Sequence, residues 1–121
     1  MPRVALTLLL VMMSLGVPVL AATQMAWQFP DQYEYLLPRS ELVTSFSCEN
    51  RPYGYYADVD NDCKIYHICY PVKGFSGEIA KIQHYSFICN NDTIFDQRYL
   101  VCSQSENAFP CNEAPSLYKL F

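Results

Sequence analysis

Six cysteines stand at positions 48, 63, 69, 89, 102 and 111, so every thiol of this chain falls between Cys48 and Cys111. An even number of cysteines crowded into a short stretch is a disulfide framework if the chain is exported to an oxidising compartment. The start of the chain reads as the export signal. Met1-Pro2-Arg3 carries the positive charge, Val4 to Leu20 is apolar apart from Thr7 and Ser14, and Val19 and Ala21 are small residues suited to a cleavage point. Residues 1–21 are therefore a signal peptide, cut after Ala21. Gly16, Pro18 and the missing basic flank argue against a membrane anchor, so no membrane association is expected after cleavage. Export permits oxidation but does not choose partners. Six thiols allow fifteen pairings, and spacing alone leaves them all open.

A domain of this size builds only a small hydrophobic core, so covalent cross-links are expected to supply much of its stability. The chain has Lys+Arg 8 against Asp+Glu 12, a net charge of −4. That balance, with no basic stripe to neutralise phosphates, excludes nucleic acid as a partner. Its aromatic content is high, with Tyr 10, Phe 7 and Trp 1. Rings in a weakly charged, cysteine-rich chain serve as core in a fold poor in aliphatics, or as a stacking surface for a neutral ligand.

Residues 22–47 form a cysteine-free flank containing Trp27, Phe29, Tyr33, Tyr35 and Phe46, too apolar for a solvated linker. We expect a strap that packs on the disulfide domain, with a short helix over Asp31 to Leu37 capped by Asp31. A propeptide cut near Arg39 is the alternative. Arg51-Pro52-Tyr53-Gly54 is turn chemistry, and Ala57 to Asp62 reads as a solvated loop. Its Asp58-x-Asp60-x-Asp62 spacing lacks the glycine and glutamate of a calcium loop.

Lys64 to Val72 alternates as a strand, with Cys63, Ile65, His67 and Cys69 on one parity and Lys64, Tyr66, Ile68 and Tyr70 on the other. Pro71 ends or edges it. After a turn at Gly74-Phe75-Ser76-Gly77, Ile79 to Cys89 forms the second strand of an antiparallel hairpin. Tyr85 and Phe87 point to one side of it, Ile82, His84 and Ile88 to the other. A smaller hairpin follows, from Thr93-Ile94-Phe95 back through Tyr99-Leu100-Val101, and residues 112–121 are a short tail. The expected fold is small, disulfide-rich and all-β: two antiparallel hairpins or small sheets stapled by three disulfides.

The residues between the cysteines carry a family resemblance. Gly54-Tyr55-Tyr56, Asp58, Asp62-Cys63, Tyr66 and Cys69 in the first half, and Cys89, Thr93, Phe95-Asp96 and Val101-Cys102 in the second, resemble the type-2 chitin-binding or peritrophin-A domain over residues 48–111. The resemblance implies pairs Cys48–Cys69, Cys63–Cys111 and Cys89–Cys102. This chain has Asp92 where the family usually has glycine, and Ser103-Gln104-Ser105 where an aromatic-proline pair is common. An aspartate accepts left-handed turn geometry, whereas the serines remove a ring that stacks on sugar.

No catalytic constellation is expected, because the cysteines are committed to disulfides and no nucleophile stands with a base. His67 and His84 lie on adjacent strands, but two histidines without a third ligand do not make a metal site. No metal or cofactor is expected. The implied partner is chitin or a related N-acetylglucosamine polysaccharide, bound by stacking on Phe75, Tyr85, Phe87 and Tyr99, with Tyr66 and Phe95 structural. Asn91-Asp92-Thr93 is a sequon, placing a candidate glycan on Asn91. A secreted monomer is expected. An aromatic flank before one such domain also resembles the scoloptoxins of centipede venom, which implies the same scaffold turned to another target.

Overall fold

The computed structural model describes residues 26–39 and 41–118. The signal peptide expected over residues 1–21 lies outside the described residues. The chain forms five strands: β1 (Gly54–Ala57), β2 (Ile65–Lys73), β3 (Ile79–Ile88), β4 (Thr93–Asp96) and β5 (Val101–Gln104). They make two antiparallel sheets, one in the order β1-β2-β3 and one of β4-β5. This is the small, disulfide-rich all-β fold expected from the sequence.

The larger sheet is set by its register. Ile68 opposes Tyr55 on β1 and Tyr85 on β3, while Tyr66 opposes Ala57 and Phe87. Directly opposed residues share a face, so the even-numbered side chains of β2 form one surface, termed outer, and the odd-numbered ones the other, termed inner. The inner positions Ile65, His67 and Cys69 are fully buried. Beyond Cys69 the strand β2 has run past β1 and keeps a neighbour on one side only. That edge position tolerates Pro71, so the strand continues to Lys73 instead of ending at the proline.

Three departures from the sequence reading have physical causes. Gly54–Ala57 is a strand where a turn precedes a loop in the sequence, because Gln97 supplies a surrogate neighbour. Its Oε1 accepts from the Ala57 N–H at 2.8 Å and its Nε2 donates to the Tyr55 carbonyl at 2.7 Å, so the outer edge of a very short strand is satisfied. The loop after it is not solvated. Asp58 and Asn61 are 2% and 4% exposed, and Val59–Asn61 is a 3-10 turn capped by the Asp58 side chain. The tail is not free either: Cys111–Leu117 is a 3-10 helix with Ala114 buried, and the Tyr118 hydroxyl donates to the Ala57 carbonyl at 2.5 Å.

Disulfides join Cys48 to Cys69, Cys63 to Cys111 and Cys89 to Cys102. No cysteine is free. The second bond links residues 48 apart in sequence and ties the C-terminal turn to the start of β2. Closing a loop of that length stabilises a fold by roughly 4 kcal/mol in the chain-entropy description. Phe95, fully buried, stacks on Tyr66 with centroids 4.4 Å apart and holds the two sheets together. Asp92 adopts the left-handed conformation with φ 62°, which explains how it replaces the usual glycine.

The flank crosses the inner face as a strap. Phe46 stacks on His67 at 4.0 Å, Trp27 meets His67 edge-on at 4.8 Å, and Arg39 pairs with Asp62 at 3.2 Å. The expected helix is one 3-10 turn, Tyr33–Leu36. Its capping position is Gln32 in left-handed geometry rather than Asp31, and Pro38 leaves no length for a second turn.

Candidate functional site: an aromatic sheet face

The outer face of the larger sheet displays rings in successive rungs. Tyr66 and Phe87 stand on one rung, Tyr55 and Tyr85 on the next around Ile68, and Tyr70 on a third opposite Gln83. Tyr53, one step before β1, meets Tyr70 edge-on at 5.2 Å and extends the third rung. Tyr53, Tyr70, Tyr85 and Phe87 are each 42–52% exposed. Rungs lie about 7 Å apart along the strands, so the rings spread over a strip about 14 Å long.

Tyr66 holds the first rung in place. Tyr66 stacks on Phe87 at 5.3 Å and lies parallel to Tyr55 at 6.4 Å, while its other contact, Phe95, anchors it to the core. Burial raises the Tyr66 phenol above its ordinary value, with Tyr55 adding to the effect. That phenol therefore stays protonated, and the hydroxyls of the strip can donate and accept hydrogen bonds at the margin of an apolar surface. Such a surface suits a flat, uncharged ligand with a ring of hydroxyls and an apolar face.

Of the four predicted stacking residues, the structure gathers two. Tyr85 and Phe87 are neighbours on the outer face. Phe75 is fully exposed at the hairpin tip, about 20 Å along the strand from Tyr85, which places it off this strip. Tyr99 lies in the β4-β5 turn under the Arg98 guanidinium, 5.0 Å from its ring, and belongs to the other sheet. Sequence reasoning missed Tyr53 and Tyr70. Parity on β2 already put Tyr70 with Tyr66, but Tyr53 becomes visible only once Gly54–Ala57 is a strand. Asn91 is exposed in the turn that leads into β4.

The inner face carries a polar network of a different kind. Asp58 Oδ2 accepts from His67 Nε2 at 2.7 Å, which leaves His67 Nδ1 facing both the Ser86 hydroxyl at 2.7 Å and His84 Nε2 at 3.0 Å. The Ser86 hydroxyl donates its one proton to the Ala26 carbonyl at 2.6 Å. Burial lowers the His67 pKa against the opposing pull of Asp58, and burial together with the neighbouring His67 lowers that of His84 to about 4. Both rings are neutral at pH 7. The two histidines do approach each other, and no group of three or more metal-ligating side chains occurs among the described residues. Their chemistry is structural: they bind the strap.

A family model, the chitin binding Peritrophin-A domain, matches residues 48–111, from the first cysteine to the last. The chain belongs to that family. It is a family of carbohydrate-binding, non-catalytic domains. Among curated proteins, the peritrophin-A chain is 37% identical over 78 residues to U-scoloptoxin(01)-Cw1a of Cormocephalus westwoodi and 34% identical over 78 residues to U-scoloptoxin(01)-Er1a of Ethmostigmus rubripes. Each match takes in 64% of this chain and 57% of the relative, so the chain spans little more than half the length of either. No solved structure matches. Among the described residues no helix is long and apolar enough to cross a membrane.

Proposed function

We propose that this is a secreted, non-catalytic protein that binds chitin through the outer face of its three-stranded sheet, with Tyr85 and Phe87 central and Tyr53 and Tyr70 extending the contact. The observation that carries this reading is the strip of four half-exposed rings on a rigid sheet within a chitin-binding domain. Rings on adjacent rungs meet successive sugar units of an extended polymer, and stacking contributes about 1 kcal/mol per ring. Two to four such contacts give weak affinity for short oligomers and firmer retention on an insoluble polymer, where many sites lie within reach. The test is depletion of the oxidised protein by chitin beads. Retention supports the reading; passage of the folded protein through the beads overturns it.

A second reading has one observation in its favour, that both relatives given above are named scoloptoxins. On it, the protein is a venom component that uses the same scaffold against another target. Expression confined to a venom gland, together with a folded protein that ignores chitin, would put this reading first.

A further inference from the structure

The strap does more than cover the inner face. Where it rounds the free edge of β3, Gln28, Phe29 and Pro30 form one wall of a cleft whose other wall is Tyr66, Ser86 and Phe87. The cleft holds about 430 Å³, within the range of small-ligand pockets. It opens beside Phe87, so it is continuous with the aromatic strip. Its position is fixed from behind: the Ser86 hydroxyl holds the Ala26 carbonyl, Trp27 packs on His67 and His84, and Phe29 contacts Tyr33 at 5.1 Å.

The lining has a definite chemistry. Phe29, Pro30 and Phe87 offer apolar surface, no charged side chain lines the cleft, and Gln28 is exposed with no hydrogen bond to other described residues. We infer that this cleft receives the N-acetyl group of a hexosamine unit stacked on Phe87, and that the strap thereby sets preference for the acetylated polymer. The inference rests on the reading of the outer face as the polymer-binding surface. The methyl group lies against the apolar walls, and the Gln28 amide meets the acetamide with one donor and one acceptor. A hydroxyl in its place leaves the apolar walls wet and the glutamine unpaired. An ammonium, from a deacetylated unit, finds no carboxylate to neutralise it.

Equilibrium depletion of the mature chain by colloidal chitin and by cellulose, in high salt, tests this. The expected result is binding to chitin about tenfold tighter than to cellulose, the discrimination that one methyl-sized apolar contact gives at its weaker end. Gln28→Ala and Phe29→Ala should each bring that ratio toward unity with little change on cellulose. Tyr85→Ala should weaken binding to both polymers alike. Gln28→Ala is the decisive variant, since the exposed side chain makes no hydrogen bond to other described residues, and thermal melting confirms that each variant is folded. Equal binding of the unaltered protein to both polymers, or an unchanged ratio in the two strap variants, overturns the inference and leaves the outer face standing. Binding to neither polymer overturns the reading of the outer face and the inference with it.

Discussion

The two faces of one three-stranded sheet are built from the same alternating strands and do opposite things. On the inner face His67 and Cys69 are fully buried, and every buried side-chain polar atom among the described residues has a partner, in a network that ends in the strap. On the outer face, the rings of Tyr53, Tyr70, Tyr85 and Phe87 remain about half exposed. A small domain gains by burying aromatics, so an uncovered strip is informative where a buried ring is not. The inner face spends its side chains on stability. The outer face leaves them uncovered, as the proposed polymer-binding surface requires.

If that division is right, substitutions should separate cleanly into those that unfold and those that unbind. The largest effect should come from Asp58→Ala, which strips His67 of its buried acceptor and the Val59–Asn61 turn of its cap. Leaving the buried His67 donor without its carboxylate and removing the cap together cost about 3 kcal/mol, a fall in Tm of more than about 10 °C by thermal melting, while the molecules still folded should bind chitin unchanged. Next, Tyr85→Ala or Phe87→Ala should weaken chitin retention about fivefold each, with stability altered by less than about 1 kcal/mol. A chitin-binding loss in Asp58→Ala at a temperature where it is folded would break the comparison.

Mild acid, between about pH 7 and pH 4, should act chiefly on the inner face. His84 titrates near 4 in the fold and near its ordinary 6.5 when the chain is open, so between those values the unfolded state holds more protons. Stability therefore rises with pH across that window and falls on acidification through it. Because the ring is only half buried, a modest loss is expected: about 5 °C in Tm between pH 7 and pH 4, reduced in His84→Gln. The smallest effect should be that of salt. The rings of the strip are uncharged, so raising salt from low to about 1 M should change chitin retention less than about twofold.

Much of this was legible in the sequence where local pattern decides. The parity of Ile65, His67 and Cys69 against Tyr66, Ile68 and Tyr70 gave the two faces of β2, and Tyr85 with Phe87 fell together on one face of β3. What the sequence hid depends on distant partners. Gly54–Ala57 becomes a strand because Gln97, some forty residues on, completes its edge. Asp58 looks like a loop acid until His67 is seen to need it. Phe75 and Tyr99 looked equivalent to Tyr85 because exposure is readable from turns, but coplanarity is not.

The most direct measurement is a backbone and aromatic NMR titration of the oxidised protein with a soluble chitin oligosaccharide. The account predicts shift changes in Tyr53, Tyr70, Tyr85 and Phe87 and along the cleft at Gln28 and Phe29, with His67, Phe75 and Tyr99 unmoved. Changes concentrated at Phe75, at Tyr99 or on the inner face, with the outer strip silent, would contradict it.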